Sequence, residues 1–408
     1  MKNSNPLNRY QWLAVTILAL TQFTVVLDFM VMSPLGDLLM KDFKVKPDQF
    51  GIVVSSYALA AGISGFLTAG FADRFDRKRL LVFFYSGFII GTLCCGMAEN
   101  YIQLVWARIL TGLFGGVMSS IALAIVADLF SLEQRGRVMG FIQMGFGLSQ
   151  IIGIPLSLYI AERYHWQTPF YMIVFLSIGM LLAILTVLKP INAHLALKRE
   201  NSAFKHLLTT IKNRNYRIGF MATAFMSLGG YLMMPWGSAF AVNNVGISQK
   251  ELPLLFMVVG VSTFLIMPLI GWIADKVNKF QLFLIASLIM VGAVLVYVHL
   301  GQSSLLVLIV VNVFMMGGIM ARMVPSQALT TSVPDPKDRG AFMSINASLQ
   351  QLAGGIAALI GGKIVLQANE HAPLERFDTL GYVVIAVIIV NIYLTRRVYQ
   401  YVQSKTKS

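Results

Sequence analysis

Hydrophobic and polar positions in this chain alternate by whole segments, not residue by residue. Continuous apolar runs are separated by short polar connections. Because one helix needs about 20 apolar residues to cross a bilayer core, each run predicts a transmembrane helix. The continuity of the runs disfavours a β-barrel, whose strands alternate apolar and polar positions. The runs cover residues 11–35, 49–72, 79–98, 101–128, 136–161, 168–188, 217–242, 252–274, 279–299, 304–329, 340–366 and 377–397.

One connection is longer than the others and divides the twelve predicted helices into six and six. Residues 189–216 are polar and basic. We therefore expect a six-helix bundle over 1–188, a cytoplasmic linker over 189–216 and a second bundle over 217–408. The linker pattern predicts a basic amphipathic helix on the membrane surface, with a plain solvated linker as the alternative. The apolar face of this helix would consist of Ala203, Phe204, Leu207, Leu208 and Ile211.

Composition supports a membrane protein, and charge predicts its orientation. Hydrophobic residues make up 57% of the 408 residues and charged residues only 12%, whereas a soluble domain has about 25% charged residues. The net charge of +14 would indicate nucleic-acid binding in a soluble protein. With both termini in the cytoplasm, however, about three quarters of the Lys and Arg residues fall in cytoplasmic segments. We therefore expect the lipid bilayer as a partner and no nucleic acid.

Short motifs recur at an offset close to half of the chain length. Two such halves, related by an axis along the membrane normal and enclosing a site at mid-depth, are an architecture of transporters. The recurring pairs are Ala72-Asp73-Arg74 with Ala274-Asp275-Lys276, Gly115-Gly116 with Gly317-Gly318, and Arg135-Gly136 with Arg339-Gly340.

Three motifs carry a resemblance to a known family. Residues 69–81 follow the pattern G-x-L-a-D-r-x-G-r-k-x-x-l at Asp73, the basic run and Leu81, and depart from it at Ala69, Phe71 and Asp76. A second motif matches at Leu104, Arg108 and Gly112, with Thr111 in place of the usual Gln. On these motifs the whole chain resembles the major facilitator superfamily. The resemblance implies an all-α membrane protein with twelve transmembrane helices in two pseudo-symmetric six-helix bundles.

The third motif lies in the fifth predicted helix and is typical of antiporters in this superfamily. It includes Gly147, Gly153 and Pro155. The likeness is to the twelve-helix drug:proton antiporter and sugar-efflux group, from which Ser157 and Gln167 depart. Small residues allow such a helix to approach its neighbour closely, and proline bends it.

The resemblance also implies a conformational latch at the cytoplasmic face. Asp73, Arg74 and Arg77 would form it, with Asp128 as a partner and Asp275 as the repeat equivalent. A charge-assisted pair there can join two helices in one conformation and release them in another. The alternative is a loop whose basic residues only set the topology.

Asp28 and Arg108 lie inside predicted spans, where a charge facing lipid is costly. At a rise of 1.5 Å per residue, Asp28 lies about 24 Å from Trp12, and Arg108 lies about 10 Å from the opposite start of its own helix. In a core of about 30 Å these levels nearly coincide. We therefore expect the two side chains to face each other and to couple transport to protons. The alternative is a fixed ion pair that only joins two helices.

Other polar and aromatic residues within the spans outline a substrate cavity, although each could instead serve helix packing. Arg322 either faces this cavity or extends to the membrane interface. The proposed cavity residues are Gln22, Phe29, Met30, Tyr231, Trp236, Asn312, Arg322, Asn346 and Gln350.

These observations predict a proton-coupled exporter of small amphiphilic or sugar-like molecules that works by alternating access. We expect it in the plasma membrane, which is the inner membrane of a bacterium. The sequence has no P-loop, so the proton gradient is the expected energy source, with no cofactor or metal. We expect no enzymatic activity, and a monomer, because both halves are present. The alternatives are an uptake symporter or uniporter, and a non-transporting membrane sensor of the same fold.

Overall fold

The computed structural model describes residues 7–68, 71–192, 195 and 203–407, apart from the side chains of a few helical residues including Asp73. Nearly all of these residues are helical. The first half contains α1 Arg9–Val31, α2 Gly36–Phe43, α3 Pro47–Thr68, α4 Arg77–Gly96, α5 Tyr101–Gly115, α6 Met118–Leu129, α7 Leu132–Leu148, α8 Ile154–Arg163 and α9 Thr168–Val187. The linker contains α10 Ala203–Lys212, and the second half contains α11 Arg214–Tyr231, α12 Gly237–Asn243, α13 Leu252–Lys276, α14 Lys279–Val298, α15 Leu305–Thr330, α16 Arg339–Ile364 and α17 Phe377–Lys407.

The helical fold class is confirmed, and most of the predicted spans meet the requirements for crossing a bilayer. Within the described residues, 11 helical stretches are long and apolar enough to do so. The remaining predicted span is α16, whose 26 residues are also long enough. It includes Ser344, Asn346, Ser348, Gln350 and Gln351, and it packs directly against α3 and α11. Its polar side chains are therefore placed mainly among neighbouring helices.

Several of the predicted spans are interrupted rather than straight. The first helix ends at Val31, earlier than the apolar run indicated, and a turn containing Pro34 leads into α2. A five-residue π-helix, Ser149–Gly153, separates α7 from α8 just before Pro155. Proline lacks the amide hydrogen that a helix needs, which accounts for breaks beside Pro34 and Pro155. π-Helical turns commonly occur at functional positions.

The two halves meet mainly where α3 runs along α16 and where α8 contacts α13. Glycines permit the α3–α16 approach. A Cβ atom added at Gly51 would lie 2.8 Å from the carbonyl oxygen of Ala358, and one at Gly355 would lie 2.8 Å from Leu59. Lipid tails are as apolar as leucine, so close packing of small residues is a main source of helix association in a bilayer.

The two ends of the bundle have different structures. At one end, the α2 end, lie α2, α12 and a two-stranded antiparallel hairpin, Leu366–Gln367 with Leu374–Glu375. The side chain of Asn244 bonds both backbone groups of Leu374, at 2.8 and 2.9 Å, which ties the hairpin to α12. The opposite end, the linker end, carries α10.

A helix, α10, lies within the predicted linker, and its described apolar residues have different environments, since Leu207 is buried and Leu208 is exposed. Leu207 is buried in a cluster with Tyr216, Phe220 and Phe342 of the second half. Of the predicted apolar face, the side chains of Ala203 and Phe204 lie outside the described residues. The aromatic cluster offers α10 a protein surface, so Leu207 is buried against protein instead of lipid.

Gly112 tests the close packing inside the first half, because a Cβ atom there would lie 2.4 Å from the backbone oxygen of Tyr57. We expect Gly112→Ala to destabilise the protein by about 1–3 kcal/mol through overpacking. The apparent melting temperature of the purified protein measures this effect. Gly292→Ala is the control, because a Cβ atom at Gly292 in α14 meets nothing within 4 Å. Equal melting temperatures for the two variants would contradict the prediction.

Candidate functional site

A buried ion pair lies between α1 and α5. Nη1 of Arg108 donates to Oδ2 of Asp28 at 2.8 Å, and the two side chains are 1% and 0% exposed. The expected contact between these residues is therefore confirmed. Oγ1 of Thr92, on α4, donates to the other carboxylate oxygen at 3.1 Å. Both oxygens of Asp28 thus have a donor, as a carboxylate away from water requires.

The guanidinium of Arg108 is less completely satisfied than its partner. Its Cζ lies 4.4 Å from the ring centroid of Tyr57 on α3, a cation–π distance. Its Nε, in contrast, is buried without a hydrogen-bond partner among the described residues. We call Asp28, Tyr57, Thr92 and Arg108 the Asp28 cluster. The cluster joins α1, α3, α4 and α5, and it leaves one donor of Arg108 available.

An aromatic contact links the Asp28 cluster to the second half. The ring of Phe29 lies 5.1 Å from that of Tyr57 and 5.9 Å from that of Tyr231 on α11, measured between centroids. The neighbouring Met30 packs against the hydrophobic core. The residue next to the buried carboxylate therefore contacts both halves, so a displacement of α11 would reach it directly.

Trp236, one of the proposed cavity residues, lies at the contact between the halves and does not line an open cavity in this structure. Its side chain is fully buried, and its ring packs edge-on to Phe50 with centroids 6.4 Å apart. A Cβ atom at Gly51 or Gly362 would lie within 3.4 Å of it. The glycines of α3 and α16 leave room that only a large ring fills, so Trp236 is a packing residue between the halves.

The predicted polar residues are dispersed. Gln22 and Ser119 exchange hydrogen bonds of 3.0 and 3.2 Å between α1 and α6, and the pair remains exposed. Asn312 donates to the carbonyl oxygen of Leu308 in its own helix at 2.9 Å. Oδ1 of Asn346 is buried without a partner in the described part of the chain, while Gln350 is exposed. An exposed polar pair inside a span must face water or protein rather than lipid, so Gln22 and Ser119 indicate a hydrated space.

Arg322 does not extend to the membrane interface, so the interfacial interpretation is wrong. The residue is 3% exposed. Its Nε donates to Oγ of Ser287 at 3.1 Å, and its Cζ lies 5.4 Å from the ring centroid of Phe283. Both partners are on α14, which offers a hydroxyl and an aromatic face inside the second half.

Two members of the expected latch are in contact. Nε of Arg77 lies 3.0 Å from Oδ2 of Asp128, which joins the start of α4 to the end of α6. Arg77 also donates from Nη1 to the carbonyl oxygen of Ala72 at 3.2 Å. The side chain of Asp73 lies outside the described residues, and Arg74 is exposed.

The repeat equivalent of the latch has a different environment. Asp275 is exposed at the end of α13. The neighbouring Lys276 places its Nζ 3.6 Å from the ring centroid of Trp272. Lys276, the repeat equivalent of Arg74, thus lies over an aromatic ring of its own helix.

The glycines of the antiporter-type motif lie where neighbouring helices approach closely. A Cβ atom at Gly153 would be 2.7 Å from Leu27 of α1, and one at Gly147 would be 3.0 Å from Phe264 of α13. Pro155 begins α8 directly after the π-helix. This segment thus contacts a helix of each half.

Comparison with known proteins identifies the family. The model of the Major Facilitator Superfamily matches residues 18–358. The chain belongs to the major facilitator superfamily. It is accordingly a secondary transporter that moves small molecules across a membrane, and not an enzyme.

Individual superfamily members are distant. The uncharacterized MFS-type transporter YbcL of Bacillus subtilis (strain 168) is 23% identical over 384 residues, 92% of this chain and 94% of that one. Multidrug resistance protein 3 of the same strain is 35% identical over 124 residues, 30% of this chain and 24% of its own. A solved D-xylose-proton symporter has a TM-score of 0.75 at 16% identity, covering 94% and 97% of the two chains, and shares the fold.

Sequence reasoning missed Tyr57 and Thr92, because a tyrosine or threonine within an apolar run has no distinctive pattern. It also missed a polar contact between the halves at the α2 end, centred on Asp37. A signal for that contact was present. The pattern Pro-x-Gly at residues 34–36 recurs at 235–237.

Removal of one partner from the buried pair should cost more than removal of both. Arg108→Gln leaves the Asp28 carboxylate without a counter-charge, for which we expect a loss of about 3–5 kcal/mol. The double variant Asp28→Asn with Arg108→Gln should recover part of this loss. Melting temperatures of the wild type, both single variants and the double variant form a double-mutant cycle. Additive losses would contradict the prediction.

Proposed function

We propose that this superfamily member exports small amphiphilic or sugar-like molecules in exchange for protons. The two halves, 1–188 and 217–408, would alternate access to a site between them while 189–216 connects them. The observation that carries the proposal is the buried pair of Asp28 and Arg108, whose neighbour Phe29 contacts both halves.

The chemistry of the pair supports proton coupling. A carboxylate at this depth is stable while Arg108 and Thr92 contact it. If a conformational change weakens those contacts, the charged form becomes costly and Asp28 takes up a proton. Restoring the contacts releases the proton. The carboxyl group thus binds a proton in one conformation and loses it in the other, as an antiporter requires.

The predicted orientation gives this cycle a direction. The positive-inside distribution supports a cytoplasmic location for the linker end and both termini, and the proposal assigns the protein to a bacterial inner membrane. The α2 end, where the halves are in contact, would then close the outer side. The exposed pair of Gln22 and Ser119 would face the cytoplasm, and Asp28 would already have released its proton. A protein in this state is ready to receive a substrate from inside the cell.

Two further features favour export. The segment with Gly147, Gly153 and Pro155 contacts α1, which carries Asp28, and α13 of the second half, so it is placed to transmit motion between them. Part of the chain is also similar to a protein named for multidrug resistance.

The contact of Arg77 with Asp128 would stabilise the first half at the linker end in this state.

The substrate can be found with a growth screen. A strain that overexpresses the protein, and the same strain with Asp28→Asn, would be grown with dyes, antibiotics, organic acids and sugars. Compounds whose toxicity falls only with the wild-type protein are substrates of export. Compounds whose toxicity rises would instead indicate uptake.

Asp28→Asn should abolish proton-driven transport, because the amide keeps the shape of the side chain but cannot exchange a proton. The variant leaves the Arg108 charge unpaired and is therefore less stable, so transport is measured below its melting temperature. Transport of a compound from the screen against its gradient, in vesicles with an imposed pH gradient, measures the effect. Asp42→Asn is the control, since this carboxylate only accepts a bond from Trp166 at 2.7 Å. Uphill export by Asp28→Asn would show that the coupling role is wrong.

A further inference from the structure

The same break occurs in the first helix of each half. Pro34-Leu35-Gly36 separates α1 from α2, and Pro235-Trp236-Gly237 separates α11 from α12. Gly36 and Gly237 each begin a short helix at the α2 end. The two breaks are therefore repeat equivalents in sequence and in structure.

The two breaks also contact each other at equivalent positions. Oγ of Ser33 donates to the backbone oxygen of Met234, its repeat equivalent. The backbone amide of Asp37 lies 3.4 Å from Oγ of Ser238, which is likewise its equivalent. Residues that meet their own equivalents lie on the symmetry axis that relates the two halves. The breaks thus meet on the pseudo-twofold axis at the α2 end.

Asp37 makes the polar contacts that cross this axis. Its carboxylate is 1% exposed and accepts bonds from Nδ2 of Asn243 at 2.6 Å and from Nε2 of Gln249, both in the second half. Lys41, one turn along α2, supplies the counter-charge at 2.7 Å and also donates to Asn243 at 3.3 Å. Hydrogen bonds to a buried charge are stronger than those between neutral groups.

We propose that Asp37 is the positioning residue that holds the α2 end closed, and that each transport cycle breaks its bonds to Asn243, Gln249 and Ser238. The proposal rests on alternating access in the proposed function. A rotation of the halves separates groups on the axis at this end, and the carboxylate then exchanges protein donors for water. Lys41 stays with Asp37 in both states because it belongs to the same helix. The contact between the halves at Asp37 is therefore reversible, because Lys41 of the first half neutralises the carboxylate and the second half supplies only uncharged donors.

The test uses a single cysteine that becomes reactive only when the α2 end opens. Ala358→Cys is suitable because Ala358 is fully buried where α16 meets Gly51. Cys94 and Cys95 are first replaced by alanine. The rate at which N-ethylmaleimide labels purified protein in lipid nanodiscs then reports opening, without substrate or proton gradient.

With Asp37→Asn we expect labelling to be about tenfold faster, since bonds to a charged group are lost. Asp42→Asn, the same change five residues away on α2, should leave the labelling rate unchanged because Asp42 contacts Trp166 of its own half. Unchanged labelling in Asp37→Asn, or an equal increase in both variants, overturns the proposal. Failure of proton coupling or export would leave this readout intact, so the two proposals fail separately.

A reversible crosslink tests the same contact without removing Asp37. Oγ of Ser238 donates to the backbone oxygen of Ser33 at 2.9 Å, so Ser33→Cys with Ser238→Cys places two cysteines at residues that are in contact across the axis. The oxidised form should stop transport, and dithiothreitol should restore it. Transport by fully crosslinked protein would show that the α2 end does not open here, and would overturn the proposal.

Discussion

The interaction on which the rest of this structure depends is an ion pair without access to water. Asp28 and Arg108 neutralise each other's charge in surroundings that solvate neither of them. Four helices supply the groups of the Asp28 cluster, so a movement of any of these helices changes the electrostatic environment of the pair. Thr92 and Tyr57 complete the arrangement, one as a donor to the carboxylate and the other as an aromatic face under the guanidinium.

Close backbone packing makes the two halves responsive to each other. Glycines on α3 and α16 bring the halves into contact with little side-chain volume between them, and Trp236 fills the remaining space at the α2 end. Packed interfaces of this kind favour discrete arrangements over continuous deformation. The polar bonds of Asp37 are added to that packing, so closure at this end combines van der Waals contact with a small number of directional bonds.

The two halves share an architecture but differ in chemistry. In the first half, Asp28 forms a fully buried ion pair with Arg108, and Arg77 forms a partly buried one with Asp128. In the second half, Arg322 is held by a hydroxyl and an aromatic ring, and Lys276 lies over Trp272. The repeated backbone therefore carries different charged and aromatic contacts in its two copies.

The sequence by itself determined the helical membrane fold and the repeat, because both depend on local properties: apolar run length and short motifs at a fixed offset. It also indicated the contact of Asp28 with Arg108, since helix rise places both at one depth. Only the tertiary structure decided which side of each helix faces which neighbour. The buried positions of Trp236 and Arg322, the docking of Leu207, and the roles of Tyr57, Thr92 and Asp37 all follow from helix rotation and from breaks at Pro34 and Pro235. Those features arise from packing between segments that lie 35 to 206 residues apart in the sequence, which no local pattern encodes.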